Sequence, residues 1–273
     1  MDGTQLAPPA VLVIAHGSRD AAACTELVAQ VAGLRDRLEG VTVKLAVLEF
    51  PGDHAPSIQD AVDGLVATGV ERFVVLPLFL FDAGHVRHDI PAELEAARRR
   101  HPSLNAVILP QLDISDGLME VLIDRLRTAN GRLGSPEQAH TAILLIGAGT
   151  SAAHANAELH RVAEQLRNEL SLPLVEVAFV SLAHPTVPEG VARCVAQGAR
   201  RIVTTHYFLN TGVLARRIES QARAEAERLG VEVSIGQHFG THEALAEALA
   251  RRVRRALSNE AEVSQGEEPE YYH

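Results

Sequence analysis

The chain has 273 residues, a formal net charge of −10 at pH 7, two cysteines and no tryptophan. The acidic balance disfavours a phosphate backbone as partner, and no apolar run reaches the ~18–20 residues that span a bilayer, so neither nucleic acid nor membrane is expected. Cys24 and Cys194 are isolated in sequence and lack metal-type spacing, which reads as reduced thiols of a cytoplasmic protein, and the first nine residues hold neither the basic nor the apolar region of a signal peptide.

Four short apolar runs in the first half read as β-strands, at residues 11–15, 43–48, 73–78 and 105–109. Ala15-His16-Gly17-Ser18-Arg19-Asp20 follows the first, Glu49 ends the second, and Asp82-Ala83-Gly84-His85-Val86-Arg87-His88-Asp89 follows the third. Four more strands are expected at 142–146, 174–180, 201–205 and 231–235. Helical periodicity appears between and after them. Leu159, Val162, Ala163, Leu166 and Leu170 share one face of 154–170, and Leu245, Leu249, Val253 and Leu257 share one face of 243–257. Strands alternating with helices predict βα units in a parallel sheet.

The two halves superpose as sequence. Gly69–Val75 aligns with Gly198–Thr204, and the same shift pairs Pro56 with Pro185, Val62 with Val191 and Phe79-Leu80 with Phe208-Leu209. Near the start the shift is larger, which places about three extra residues around Pro51-Gly52-Asp53 in the first half. The expected architecture is α/β: two similar flavodoxin-like lobes, each a four-stranded parallel sheet flanked by helices, with a cleft between them. The predicted division is 1–134, 135–257 and a disordered acidic tail, 258–273, whose five glutamates leave −5 on the rest of the chain.

In a 2-1-3-4 strand order, His16, Glu49 and His85 sit on neighbouring strand tips at the switch point where open α/β sheets bind ligands. Two imidazoles and a carboxylate can hold a divalent metal or move protons. Gly17 and Gly84 are expected to let a bulky ligand approach the backbone, Ser18 or Asp20 to cap the next helix, and Arg19 and Arg87, with Arg216 and Arg217, to offer charge to an anionic ligand. The matching positions of the second half are Ala148, Ser181 and Val213, which cannot ligate a metal firmly. His206 is expected either to face the cleft or to make a structural hydrogen bond, and the remaining histidines read as surface or rim residues. A Gly-x-x-x-x-Gly-Lys phosphate loop is absent.

Ala15–Asp20, Leu48-Glu49, Pro77–Val86 and Asp89-Ile90-Pro91, with Gly147–Ser151, Asn156–Leu159 and Tyr207–Leu214 in the second half, resemble the sirohydrochlorin chelatases of the CbiX/SirB type, class II chelatases. The resemblance spans nearly everything but the tail. It implies a long, internally duplicated lyase that inserts Co2+ or Fe2+ into sirohydrochlorin for cobalamin or sirohaem synthesis. His16 and His85 would be the metal-handling residues and Glu49 their acidic partner. The divalent metal is then a substrate, with no permanently bound cofactor, and the chain acts as a monomer or homodimer. A non-catalytic tetrapyrrole or metal carrier is the alternative. The chain departs from the family pattern at Ala152-Ala153, where an acidic residue and proline are common, and at His206, where proline is usual.

Overall fold

The structure is a computed structural model and describes residues 9–81, 84–130, 140–172 and 174–264, with side chains described as far as Asn259. Asp82 and Ala83 of the second motif, and the tail beyond Ser264, lie outside the described residues.

Eight parallel strands form two sheets. The first contains β1 (Ala10–Ala15), β2 (Thr42–Val47), β3 (Arg72–Pro77) and β4 (Asn105–Ile108) in the order β2-β1-β3-β4. The second contains β5 (Thr141–Gly147), β6 (Val175–Phe179), β7 (Arg201–His206) and β8 (Glu232–Ile235) in the same order, β6-β5-β7-β8. Every expected strand is present, with ends within one residue of those read from the apolar runs. Strands β1 and β5 are buried along their whole length because each lies inside its sheet with both faces covered.

Helices α1 (Ala21–Arg35), α2 (Ile58–Val66) and α3 (Ile90–Arg100) accompany the first sheet, and α5 (Ala153–Leu170), α6 (Val187–Ala196) and α7 (Val213–Leu229) the second. Local chemistry sets their starts. Asp20 accepts from Ala22 N–H ahead of α1, Ser57 from Asp60 N–H ahead of α2, and Thr186 and Glu189 form a reciprocal capping box ahead of α6. On one face of the first sheet Leu12, Ile14, Phe73 and Val75 pack with Ile58, Val62, Leu65, Ile90 and Leu94. In the second sheet Leu144, Ile146 and Ile202 pack with Val187, Val191, Cys194 and Ile218. Each such side chain contributes about 1.5–3 kcal/mol on full burial.

The extra residues of the first half fall where the repeat places them. The bridges Val47–Ser57 and Phe179–Thr186 correspond between the repeats, and between Val47 and Ser57 the first repeat inserts a small turn closed by a Gly52–Ala55 bridge.

The compact units do not follow the linear halves. One comprises Met1–Leu112 with Ala246–His273, the other Asp113–Leu245. Thus α4 (Leu118–Ala129), which follows β4 in sequence, belongs to the second unit, where Arg125 donates to Gln237 Oε1 and to the Phe239 carbonyl. In return, most of α8 (Glu243–Ser264) belongs to the first, where Arg252 donates to the Pro110 and Gln111 carbonyls and Arg254 to that of Arg37. The 1–134 and 135–257 division describes the sequence repeat, whereas the compact units have exchanged last helices. Within the segment read as a tail, α8 continues through 258–264. Ala and Glu are good helix formers, so the helix propagates past the end of its apolar face.

Candidate metal centre

The carboxyl ends of β1, β2 and β3 bring the three predicted side chains together. His16 directly follows β1, and Glu49 lies two residues beyond β2. His85 opens a π-helical turn, His85–Asp89, that leads into α3. One donor atom from each lies within 4.8 Å of the other two. His16 Nε2 is 3.8 Å from Glu49 Oε1, and the two imidazole rings meet edge to face with centroids 4.9 Å apart. The side chains are 48%, 44% and 37% exposed for His16, Glu49 and His85, so an ion can reach them from solvent.

Both rings present the same nitrogen. His16 Nδ1 lies 3.0 Å from the Gly17 carbonyl oxygen and His85 Nδ1 2.7 Å from Asp89 Oδ2. Each Nδ1–H is thereby engaged, which leaves both Nε2 lone pairs for a ligand. With bonds of about 2.0–2.1 Å, donors of a tetrahedral ion stand about 3.3 Å apart, so the three side chains need only small movements to close on one metal.

The surrounding predictions divide. Asp20, not Ser18, is the helix cap, and Ser18 Oγ instead accepts from Asp20 N–H. Arg19 stacks over the Phe50 ring at 4.4 Å, and Arg87 is exposed on the π turn. Gly17 is required for a reason different from the one expected. Its φ is +91°, and a Cβ there would lie 1.9 Å from the Glu49 carbonyl oxygen, so the protein's own backbone fills the space. At Gly84 a Cβ would meet nothing among the described residues. Phe50, which sequence reasoning missed, has φ +54° and is an exposed aromatic beside Glu49. A positive φ is strained for a bulky residue, and no sequence signal marks it.

The second unit keeps this scaffold without the donors. Gly149 has φ +81° and packs 1.9 Å (as a built Cβ) from the Ser181 carbonyl oxygen, and Leu182 repeats the positive φ of Phe50. Yet Ala148, Ser181 and Val213 stand where His16, Glu49 and His85 would be, and Leu182 and Val213 are 80% and 66% exposed. Ser181 Oγ donates to the Ala148 carbonyl. Among the described residues, the first unit holds the only such three-donor group.

His206 does not make the structural hydrogen bond that was one of its expected roles. It is only 4% exposed, and neither ring nitrogen finds a hydrogen-bond partner among the described residues. Burial, reinforced by the nearby His238, pushes its pKa down to about 4 from 6.5. The folded protein therefore binds fewer protons there than the unfolded chain. This contribution to stability is present above about pH 6.5 and is lost as pH falls towards 4. His206→Leu is expected to remove about 2–3 kcal/mol of the stability difference between pH 7 and pH 4.5, measured by urea unfolding. An identical acid limb in the variant would contradict this assignment.

The CbiX family model matches residues 10–129 and again 142–256. The chain is 30% identical over 256 residues to a sirohydrochlorin cobaltochelatase of Priestia megaterium, covering 93% of this chain and 82% of that protein. It is 24% identical over 253 residues to a sirohydrochlorin ferrochelatase of the same organism, with 92% and 91% covered. SirB from Bacillus subtilis, solved with Fe3+, has the same fold, with a TM-score of 0.79 at 24% identity and 93% and 97% of the two chains covered. No helix among the described residues is long and apolar enough to cross a membrane. With one family model matched twice, once over each repeat, this chain belongs to the CbiX family.

Proposed function

We propose that the protein is a sirohydrochlorin chelatase, a lyase that inserts Co2+ or Fe2+ into the tetrapyrrole, with turnover at His16, Glu49 and His85. The observation that carries this reading is the set of three donors at neighbouring strand tips, present on one repeat and stripped from the same backbone frame in the other. Membership of a family whose relatives bear that activity supports the substrate.

The chemistry suits the groups. Insertion strips water from M2+ and exchanges two pyrrole protons for the metal. The His16 and His85 Nε2 atoms would receive the ion, replacing part of its hydration shell. Three exposed protein donors leave coordination positions open, which favours release to a competing macrocycle over storage. Glu49 offsets the cation's charge, and Glu49 with whichever imidazole the departing metal frees accepts the pyrrole protons and passes them to water. Arg19 and Arg87 would pair with carboxylates of the tetrapyrrole, and Gly84, without a side chain, would let the flat ring approach the backbone beside His85. Gly17 and Ser18 shape the loop that presents His16. The metal is a substrate in this scheme, and the choice between Co2+ and Fe2+ follows supply, because both accept imidazole and carboxylate donors.

The test is anaerobic metallation followed by the pigment's visible absorbance, with tetrapyrrole and metal in excess over protein. Metallated product exceeding the protein concentration, formed faster than without protein, is expected. Bound pigment without acceleration would make the protein a carrier.

A further inference from the structure

We propose that Asp89 is the positioning residue of the metal centre: its carboxylate holds the His85 ring so that Nε2, not Nδ1, meets the incoming divalent ion. The inference rests on the reading of His85 as a metal-binding residue. Asp89 Oδ2 lies 2.7 Å from His85 Nδ1, the length of a charge-assisted hydrogen bond.

A side-chain pair four residues apart near a helix is ordinarily worth only a few tenths of a kcal/mol. Three observations set this pair apart. First, Asp89 has helical backbone angles (φ −73°, ψ −47°) inside a helix that runs on from the π turn into α3, so its carboxylate has no open helix start to cap and its Oδ2 is engaged by His85 instead. Second, the pair brackets a π turn in which the Ile90 N–H donates to the His85 carbonyl, a rare conformation concentrated at functional sites. Third, the second repeat lacks both partners together. Val213 and Arg217 occupy the equivalent places with the same four-residue spacing.

The consequence is specific to the imidazole. Engaging Nδ1–H selects one tautomer, fixes the ring plane and strengthens Nε2 as a donor, as carboxylates behind metal-bound histidines do. His16 obtains the same selection from the Gly17 carbonyl, a neutral acceptor.

The experiment titrates the full-length protein with Co2+ in the absence of tetrapyrrole, following the visible cobalt bands, for wild type, Asp89→Ala, Asp89→Asn and His85→Ala. The ring tautomer of His85 is read in parallel by 15N NMR of the metal-free protein. Asp89→Ala is expected to weaken Co2+ binding about 10–100-fold and to convert His85 from one tautomer to a mixture. Asp89→Asn keeps an acceptor oxygen without the charge, so it should preserve the tautomer and bind with intermediate affinity. Wild-type affinity and an unchanged tautomer in Asp89→Ala, alongside weakened binding in His85→Ala, would reduce Asp89 to a surface ion pair and overturn this proposal alone. Wild-type affinity in His85→Ala would overturn the site reading on which it rests.

Discussion

Gly17→Ala is expected to cost about 3 kcal/mol or more of stability and to weaken the metal centre at the same time. Two costs act on one atom. The backbone at φ +91° is unfavourable for any residue with a Cβ, and that Cβ would lie 1.9 Å from the Glu49 carbonyl oxygen. Neither neighbour can yield as a flexible side chain would, because the obstacle is main chain. Glu49 N–H donates to the His16 carbonyl at 2.8 Å, so pushing Glu49 away breaks the contact that sets His16 and Glu49 side by side. Gly149→Ala is the control, since its Cβ meets the Ser181 carbonyl at the same distance with no metal donor attached. Urea unfolding should show a large loss for both variants. Co2+ titration under conditions where both remain folded should show weakened binding for Gly17→Ala only. Gly84→Ala, with open space around its Cβ, should change stability by less than about 0.5 kcal/mol. A Gly17→Ala protein of wild-type stability would refute this account of the loop.

His85→Ala is expected to lower kcat/KM for metal insertion by about 100-fold or more while leaving the fold intact. The side chain is partly exposed and lies outside the buried core cluster, so its loss should move the unfolding midpoint little. Glu49→Gln should slow turnover by a comparable factor, with less effect on metal affinity because both imidazoles remain. The split separates the two roles: ligand loss should appear first as a raised KM for the metal, and carboxylate loss first as a lowered kcat. Unfolding curves recorded alongside guard against a trivial loss of structure. Equal effects of both substitutions on KM alone would mean that Glu49 is only a ligand.

The strands were legible because each is a compact apolar run, and their order because short βα units wind a parallel sheet around its first strand. His16, Glu49 and His85 could then be read as neighbours from position alone. What escaped the sequence depends on choices between nearly equal partners. Asp20 caps the start of α1, whereas the helix holding Asp89 begins before it with a π turn that no local sequence signal marks, so the Asp89–His85 pair was not legible. The repeat makes the apolar faces of α4 and α8 suitable for either sheet, so their exchange is invisible to periodicity. Gly17 was read as room for a ligand's approach; its crowding by a carbonyl more than thirty residues away in sequence could not be seen there. His206 was read as a polar strand end because its burial depends on packing around a β7 that ends later than its apolar run suggested.

The most direct test of the central claim is the rate of anaerobic Co2+ insertion into sirohydrochlorin by the His16→Ala/His85→Ala double variant, with pigment retention checked by co-elution. The account predicts a fall to the protein-free rate while the folded variant still binds the tetrapyrrole. Insertion at the wild-type rate would place the chemistry elsewhere in the molecule and contradict the account.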